Sequence, residues 1–389
     1  MNTIAKQLQE SFIRMFKEEP LIVRSPGRVN IIGEHTDYNE GFVLPAAIDK
    51  AAYLAISLRQ DEEIHLVAQD LKENFSIGIN SLKPVGDISW PNYIVGSAAQ
   101  FLKRGIPLKG FNAVLTSDVP IGAGLSSSAA VECATVFALN ELLQTGLDRM
   151  TMVKMAQKAE HEYAGVMCGI MDQFASMMGK KDHVIKLDCR SLAYEYVPFK
   201  LEGIKILLLN TNVKHSLASS EYNTRRKECE QAVAWVKEQE PGIHSLRDVT
   251  IDMLNKYVWP RDETVDRRSR YVVQEIERLT LGCQDLQNGE INALGNKMFA
   301  THDGLSKMYE VSCKELDFLV DAVRDNDAVI GARMMGGGFG GCTINLVKEA
   351  AIDGLMATLK PAYEMKMNLP LTHYISSIEE GTLLINDHV

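Results

Sequence analysis

The chain has 389 residues, 46% of them hydrophobic and 24% charged, and its formal net charge is −10. This length predicts about two to three domains, with cores large enough to need no disulfides. The excess of acidic residues argues against a general nucleic-acid-binding protein, which needs a basic face. A local site for an anionic small molecule stays compatible with this charge.

Cysteine usage and hydropathy indicate the cellular compartment in which the protein is expected. The seven cysteines are scattered singly, which fits a reducing cytosol better than a disulfide framework or a structural zinc site. Residues 1–20 carry apolar side chains at helical spacing and lack the apolar segment of a signal peptide. No apolar run approaches the roughly 18 residues of a membrane span. We therefore expect a cytoplasmic protein that begins with an amphipathic surface helix and has no membrane partner.

The first half of the chain mixes predicted strands with predicted helices. Apolar or alternating runs predict strands at residues 21–23, 43–58, 64–68, 75–79, 111–116, 184–187, 193–197 and 204–209. Helices are predicted at residues 90–104, 126–143 and 150–164.

The second half begins with long charged helices, and the composition shifts near residue 200. Helices are predicted at residues 221–239, 264–287, 290–308, 314–324 and 350–365, and strands at residues 343–347, 372–378 and 382–385. The pattern predicts two packed α+β domains, residues 1–202 and 203–389, with an active site between them. The basic residues of the acidic helices are expected on solvated faces: Arg225, Arg226, Lys227, Arg267 and Arg268.

Residues 27–38 form the most informative segment, and they follow the predicted strand at residues 21–23. They place a cation, two carboxylates, an imidazole and a phenol around two glycines. Buried charges need partners, so such a cluster is poor material for a core. It suits a pocket that binds a small, hydroxyl-rich molecule.

Residues 118–130 form a second cluster, rich in glycine, alanine and serine, between a predicted strand and a predicted helix. Small residues let the backbone approach an anion, and a helix N-terminus offers unpaired N–H groups. The segment predicts a phosphate cradle without the lysine of a Walker A loop. A turn with serine caps on the helix is the alternative interpretation. A third glycine cluster, residues 336–341, leads into a strand rather than a helix, which disfavours a Rossmann oxidoreductase.

Residues 169–173 follow the predicted helix that contains Glu160. Asp172 comes after an apolar pair and is a candidate for a desolvated carboxylate. Taken alone, this segment is read more simply as a surface cap at the start of the next helix.

Together, residues 27–38, 120–130 and 334–342 occur in the order and rough spacing of the three GHMP kinase motifs. The first has the sugar-specific form of the galactokinases, and residues 169–173 resemble their catalytic aspartate segment. The resemblance covers essentially the whole chain, with a small departure at Met335 and Gly337. It implies an α+β, two-domain GHMP kinase fold. The N-terminal domain would be ribosomal-protein-S5-like and the C-terminal domain ferredoxin-like.

The resemblance to galactokinases also implies a reaction. ATP would phosphorylate the anomeric hydroxyl of α-D-galactose, the first committed step of galactose catabolism by the Leloir pathway. Asp172 would accept or hydrogen-bond the attacking proton, and Arg28 beside it would keep the carboxylate ionised. The implied sugar contacts are Glu34, His35, Thr36, Asp37, Asp172 and Tyr222. A hydrogen-bonded loop histidine is the alternative interpretation of His35.

Nucleotide and metal contacts follow from the same resemblance. The implied ATP-binding residues are Gly122, Ala123, Gly124, Leu125, Ser126, Ser127 and Ser128. Ser128 and Glu160 match the Mg²⁺ positions, and one hydroxyl with one carboxylate suits an ion that keeps phosphates and water in its shell. A solvated helix residue is the alternative interpretation of Glu160. Galactose and ATP are the expected partners of a monomer, with a homodimer as the alternative.

Two other functions stay open. One is a GHMP kinase for another sugar, such as N-acetylgalactosamine or arabinose. The other is a sensor that binds galactose and ATP without turnover. The intact Ser128-Ala129 pair, with Arg28 and Asp172, favours catalysis over sensing.

Overall fold

The computed structural model describes residues 3–86, 90–120, 122–213 and 218–385. Its strands are β1 (Leu21–Asn30), β2 (Phe42–Val43), β3 (Pro45–Leu58), β4 (Glu63–Ala68), β5 (Glu73–Gly78), β6 (Phe111–Ser117), β7 (His183–Asp188), β8 (Tyr194–Pro198), β9 (Ile204–Asn210), β10 (Val329–Met334), β11 (Cys342–Lys348), β12 (Thr372–Ser376) and β13 (Leu383–Leu384). Its α-helices are α1 (Thr3–Phe16), α2 (Pro91–Lys103), α3 (Ser127–Leu143), α4 (Arg149–Ala159), α5 (Met171–Met178), α6 (Ala218–Lys237), α7 (Ile251–Met253), α8 (Glu263–Gln287), α9 (Ile291–Lys307), α10 (Lys314–Arg324) and α11 (Ile352–Met367). Helix α4 continues into a π-helical turn, Glu160–Ala164.

The described strands form sheets of six, four and three strands. The first sheet has the order β13-β1-β3-β6-β4-β5, and the second has the order β10-β11-β9-β12. A smaller sheet, β2-β7-β8, joins a strand that lies between β1 and β3 in the chain to two strands that follow α5. The last strand, β13, returns to pair with β1, so the end of the chain belongs to the first sheet.

Apolar side chains explain why these layers pack. The apolar faces of α2, α3, α4 and α5 cover the first sheet in one core, and α1 packs on the same sheet in a separate cluster. Another core joins Val29 and Ile31 of the first half to Leu279 and Ile344 of the second. Each Å² of apolar surface that such a contact removes from water stabilises it by about 25 cal/mol. The two halves therefore share a continuous apolar interface.

The sequence-based elements agree with the structure except at a few positions. The strand predicted at residues 21–23 runs on to Asn30, so residues 27–30 lie within β1 rather than after it. Arg24 is tolerated inside this strand because its guanidinium donates to the carbonyls of Ile48 and Asp49. Residues 43–58 divide into β2 and β3, and β10 was missed because a glycine and an arginine interrupt its apolar pattern.

The predicted solvation of the basic helix residues is wrong for Arg225 and Arg268. The Arg225 side chain is only 4% exposed and donates to the carbonyls of Tyr309 and Glu310. Arg268 is 13% exposed and pairs with Glu228 and Glu310. Long side chains on a charged helix can be buried wherever a neighbouring element supplies acceptors. Within the described part of the chain, no helix combines the length and apolarity that crossing a membrane requires.

Candidate active site

Arg28 and Asp172 form an ion pair, although 144 positions separate them in the chain. The Arg28 Nε donates to Asp172 Oδ1 at 2.8 Å, and Nη2 donates to Oδ2 at 2.9 Å. Arg28 lies at a bulge in β1, and Asp172 lies in the first turn of α5. Burial lowers the pKa of Arg28, but the Asp172 carboxylate outweighs it and the pKa is raised. The result is a bidentate ion pair.

The bulge in β1 brings this strand against the predicted phosphate loop. The Arg28 backbone N–H donates to the Leu125 carbonyl at 3.1 Å, and its Nη1 donates to the Gly124 carbonyl at 2.6 Å. A Cβ atom at Gly27 would lie 2.6 Å from the Leu125 oxygen. Glycine is therefore required at position 27 by the close approach of two backbones.

The phosphate loop depends on left-handed backbone conformations. Gly122 has a φ of 75° and Gly124 a φ of 73°, and a Cβ atom at either would meet nothing within 4 Å. Their role is therefore conformational rather than steric. Ser126 also adopts a left-handed φ of 58°, and its hydroxyl donates to Asp172 Oδ2 at 2.5 Å. Ile121, which belongs to the same predicted segment, lies outside the described residues.

Apolar side chains anchor the loop from one side. Ala123 and Leu125 are buried in the core shared by the two halves, so only their backbone groups are open to a ligand. Ser127 is the first residue of α3. The first N–H groups of a helix lack intrahelical partners and carry the positive end of the dipole. The loop and this helix start together offer the donors that a polyphosphate needs.

A cluster of polar side chains adjoins the loop through Ser128. Its hydroxyl donates to Glu160 Oε1 at 2.8 Å, and Gln173 Nε2 donates to Glu160 Oε2 at 2.5 Å and to Glu132 Oε2 at 3.0 Å. Glu160 is 7% exposed, and burial raises its pKa, as does the charge of Asp172. The interpretation of Glu160 as a solvated residue is therefore wrong.

The donor atoms near Ser128 determine which kind of metal ion this region could hold. In the part of the chain that the structure describes, no three His, Cys, Asp or Glu side chains are arranged to hold one. A hydroxyl and a carboxylate in contact suit Mg²⁺, which takes few protein ligands and completes its shell with phosphates and water. The residues present thus fit Mg²⁺ bound together with a nucleotide and do not fit a protein-only metal site.

Glu34 is held by the second half of the chain. Its Oε1 accepts from both terminal nitrogens of Arg333 at 3.1 Å and from the Gly336 N–H at 2.8 Å. Arg333 is fully buried, and its N–H groups also donate to the carbonyls of Asn30, Ile31 and Met334. Among the described residues, Glu34 Oε2 accepts no hydrogen bond. One oxygen is therefore fixed by protein donors, and the other is free to accept from a ligand.

Hydrogen bonds to buried groups also fix the backbone of residues 33–36. The Gly33 N–H donates at 2.9 Å to Oε1 of Glu275, whose pKa burial raises. Thr36 is fully buried, and its hydroxyl is shared between the carbonyls of Gly33 and Phe42. The structure therefore places the Thr36 hydroxyl inside the loop rather than on a ligand surface.

His35 and Tyr222 meet across the two halves, with ring centroids 5.5 Å apart. His35 has a left-handed φ of 62°, and its Nδ1 lies 2.8 Å from the Tyr38 hydroxyl. Burial lowers the pKa of His35 to about 4, so the ring is neutral at pH 7. Burial also raises the pKa of the Tyr222 phenol, which stays protonated.

Asp37 lies against the loop that precedes α5. A Cβ atom at Gly169 would lie 2.3 Å from Asp37 Oδ2, so glycine is needed there to admit the carboxylate. Burial raises the pKa of Asp37 to about 6, and the nearby carboxylates of Glu34 and Asp172 add to the shift. This carboxyl group titrates unusually close to neutral pH.

These side chains surround a cleft of ≈ 500 Å³ between the two halves. Such a volume is ordinary for a small-molecule site. It is lined by the predicted residues Arg28, Glu34, His35, Asp37, Asp172 and Tyr222, and also by Gly33, Val43, Met171, Asn223, Gly336, Gly337 and residues 165–169. The phosphate loop joins the cleft through the contact between Ser126 and Asp172.

Sequence reasoning missed several residues that fix this geometry. Arg333 could have been identified, because a single cation within a buried strand indicates an acidic partner elsewhere in the chain. Glu132 is likewise a single charged residue in the apolar helix α3, which indicates a buried polar partner. No local pattern marked Glu275, because it lies in a helix that is rich in charged residues.

Comparisons with known proteins bear on the same segments. The "Galactokinase galactose-binding signature" matches residues 10–58, "GHMP kinases N terminal domain" matches residues 92–180, and "GHMP kinases C terminal" matches residues 284–360. A galactokinase of Thermotoga neapolitana is 42% identical over 358 residues, covering 92% of this chain and 98% of the relative. A galactokinase of Fusobacterium nucleatum is 39% identical over 382 residues, covering 97% of this chain and 98% of the relative. The crystal structure of Lactococcus lactis galactokinase complexed with galactose has a TM-score of 0.93 at 32% identity, covering 98% of this chain and 100% of that one.

A phosphate loop that abuts a cleft between two α+β halves, together with these matches, defines a GHMP kinase. This confirms the predicted fold class and makes the protein an ATP-dependent sugar kinase. Within that superfamily, the chain belongs to the galactokinase family.

Proposed function

We propose that this sugar kinase transfers the γ-phosphoryl group of ATP to the anomeric hydroxyl of α-D-galactose, giving galactose 1-phosphate and ADP. The observation that carries this proposal is the convergence of Arg28 and Asp172 where the cleft meets the phosphate loop. The galactose-binding signature over residues 10–58 and the galactose complex of the Lactococcus lactis relative support the choice of sugar.

In this proposal Asp172 receives the attacking hydroxyl. Its carboxylate already accepts from Arg28 Nε and Nη2 and from the Ser126 hydroxyl. A carboxylate has about four acceptor positions, so about one is left for the sugar. That oxygen aligns the nucleophile and can take its proton as the bond to phosphorus forms. Phosphoryl transfer needs alignment and charge stabilisation above all, so this small set of groups is sufficient.

Arg28 would link the two substrates. Its guanidinium bonds Asp172 on one side and the Gly124 carbonyl of the phosphate loop on the other. A cation at this junction can stabilise negative charge as it spreads over the transferred group. Residues 122–128 would bind the phosphates through their backbone and through the start of α3.

The sugar would be recognised by the polar groups that line the cleft. Glu34 Oε2 and Asp37 would accept from its hydroxyls, and His35 and Tyr222 would bond others. Thr36 would contribute through its backbone, since its hydroxyl is shared between two carbonyls of the loop. An epimer that moves one hydroxyl leaves a buried acceptor unpaired, which disfavours glucose.

Ser128 and Glu160 would hold Mg²⁺ together with the phosphates of ATP. Their contact at 2.8 Å and the burial of Glu160 support this assignment. When bound, the ion would neutralise charge on the phosphates.

The wider organisation is also a proposal. We assign domains to residues 1–202 and 203–389, with matches to the N- and C-terminal GHMP kinase domains on either side of this division as support. We propose a cytoplasmic monomer. The free state of the seven cysteines supports the location, and light scattering would detect the alternative homodimer.

A coupled assay for ADP tests the function. Galactose should elicit ADP release with Mg-ATP, and phosphorus NMR should identify an anomeric phosphate. Glucose, N-acetylgalactosamine and arabinose are the comparison sugars. Faster turnover of one of these sugars would identify it, rather than galactose, as the substrate. Galactose binding without ADP release would favour a sensor.

A further inference from the structure

A chain of buried hydrogen bonds leads from His35 into the second half of the molecule. His35 Nδ1 lies 2.8 Å from the Tyr38 hydroxyl, which lies 2.6 Å from the Tyr309 hydroxyl. The Tyr309 hydroxyl lies 3.4 Å from the Cys229 sulfur, to which Asn39 Nδ2 donates at 3.7 Å. Tyr309 is 0% exposed and Cys229 2% exposed, so water does not replace these contacts.

The opposite edge of the His35 ring has no such partner. His35 Nε2 is buried and makes no hydrogen bond of normal geometry among the described residues, while the ring lines the cleft. Burial lowers the pKa of His35 to about 4, so the ring carries a single proton at neutral pH. A neutral imidazole has one donor and one acceptor nitrogen, and the partner of one nitrogen decides the role of the other.

The chain can run in two directions, and its chemistry favours one of them. In the first, Cys229 donates to Tyr309, Tyr309 to Tyr38, and Tyr38 to His35 Nδ1. In the reverse, Nδ1–H donates to Tyr38 and the chain ends with Tyr309 donating to sulfur. An imidazole nitrogen is a much better acceptor than a thiol sulfur. Asn39 already donates to that sulfur, which leaves the thiol proton free to be donated.

The opposite edge of the ring is compatible with the same direction. His35 Nε2 is buried beside the cleft without a hydrogen-bond partner among the described residues, so a proton on this nitrogen is available to a ligand.

We propose that Tyr38, Tyr309 and Cys229 are positioning residues that keep the His35 proton on Nε2, so that His35 donates a hydrogen bond to one oxygen of the sugar. The identity of the ligand rests on the proposed function, whereas the position of the proton does not. Glu34 Oε2 and Asp37 can only accept from sugar hydroxyls. His35 would instead donate to a sugar oxygen that acts as an acceptor.

NMR of the full-length, ¹⁵N-labelled protein without sugar tests the position of the proton. Long-range ¹H–¹⁵N correlations distinguish a protonated from an unprotonated ring nitrogen, and His35→Gln identifies the His35 signals by their loss. We expect a protonated Nε2 and an unprotonated Nδ1 at pH 7. A protonated Nδ1 in the unmodified protein would overturn the proposal, and this measurement needs no variant that folds.

Tyr38→Phe tests the chain itself. It should move the His35 signals toward the other tautomer or a mixture, because Nδ1 loses its donor. Tyr363→Phe is the matched control, since Tyr363 is a fully buried tyrosine whose hydroxyl donates to the Thr211 carbonyl in a different core. It should leave the His35 signals in place. An unchanged His35 pattern in Tyr38→Phe would remove Tyr38 from the proposed role.

Sugar analogues test the consequence for recognition. Each monodeoxygalactose that keeps its anomeric hydroxyl is compared with the matching monofluoro sugar, because fluorine accepts weakly but cannot donate. At one position the fluoro sugar should keep more kcat/KM than the deoxy sugar, and Tyr38→Phe should shrink the deoxy penalty there by about 3- to 10-fold. No position that behaves in this way would overturn the role in recognition. Absence of any galactose turnover would instead refute the proposed function and leave the NMR result intact.

Discussion

At the scale of single residues, the carboxylates near the cleft differ mainly in the partners that they have. Asp172 is paired with a guanidinium, and Glu34 has one oxygen fixed by Arg333 and Gly336. Asp37 forms no ion pair among the described residues, and burial raises its pKa to about 6. The same functional group can therefore align a nucleophile, accept from a hydroxyl or titrate near neutral pH.

Asp172→Asn should lower kcat by about 100- to 10,000-fold, since the group that aligns the hydroxyl and receives its proton is lost. Nucleotide affinity should be nearly unchanged, because the phosphate loop stays in place. Steady-state kinetics and nucleotide titration measure the two effects. Asp303→Asn is the control, since Asp303 pairs with Lys307 and Arg324 and does not line the cleft. A near-normal kcat in Asp172→Asn would reject the assigned role.

Glu34→Gln should raise the KM for galactose by about tenfold or more, as a charged acceptor is replaced by a neutral amide. Its kcat should change less, because in the proposed complex Glu34 contacts the sugar away from the point of transfer. Initial rates across galactose concentrations give both values. The KM for ATP serves as an internal control and should not move. An unchanged KM for galactose would remove Glu34 from the sugar site.

The raised pKa of Asp37 predicts a pH dependence. Above a pH of about 6 the side chain is a carboxylate, which accepts from the sugar in the proposed complex. Below that pH the carboxyl group is protonated and one acceptor is lost. The kcat/KM for galactose should therefore fall as the pH decreases through about 6. His35, with a pKa of about 4, contributes nothing to this limb. Asp37→Asn should lower kcat/KM and flatten the limb, and an unaltered pH profile would assign the titration to another group.

At the scale of elements, the active site depends on backbones that approach each other closely. Strand β1 contacts the phosphate loop at Gly27, and the loop before α5 admits Asp37 at Gly169. Helix α9 and β10 approach through Gly295 and Gly331 in the same manner. Glycine occupies these positions because a side chain would separate two elements that must touch.

Gly27→Ala should reduce stability by about 1–3 kcal/mol, the usual cost of overpacking, and should lower kcat as well. Its Cβ atom would meet the Leu125 carbonyl and push the phosphate loop away from Arg28. Urea unfolding and steady-state kinetics report the two effects. Gly354→Ala is the matched control, since a Cβ atom there meets nothing within 4 Å in α11. Equal stability of the two variants would contradict the close approach.

Local patterns predicted most elements because the information for them is local. Helix α8 begins where Asp262 caps the first N–H groups, and its apolar stripe runs to Gln287. The sequence pattern did not predict strand β10, because Gly331 packs against α9 and Arg333 pairs with Glu34. Both residues are selected by contacts with distant parts of the chain, so the segment lacks the apolar alternation that identifies a strand.

At the scale of the whole molecule, the end of the chain braces the two elements that carry the ion pair. The Ser25 hydroxyl, in β1, donates to Thr382 Oγ1 at 2.8 Å, and Thr382 Oγ1 donates to the Ser176 carbonyl of α5 at 2.9 Å. These groups are buried, and Arg28 and Asp172 lie on the same two elements. The segment that leads into β13 therefore connects the two elements that carry the ion pair.

Thr382→Val should lower the free energy of unfolding by about 1–3 kcal/mol, because the buried Ser25 hydroxyl loses its acceptor, while the Ser176 carbonyl keeps only the Thr382 N–H. Thr358→Val, at an exposed position of α11, should change it by less than about 0.5 kcal/mol. Urea unfolding of both variants measures the difference. A loss in Thr382→Val no larger than in the control would show that the final segment does not brace β1 and α5.

The amino-acid sequence by itself determined the class of chemistry: three glycine-bearing segments in order, the candidate polar residues and the family that they resemble. Only the tertiary structure decided which of these side chains meet. Asp172 lies 144 positions from Arg28, and Arg333 lies 299 positions from Glu34. Spacing and composition report on the nearest few residues of the chain, whereas a buried charge takes its partner from whichever element the packed sheets place beside it.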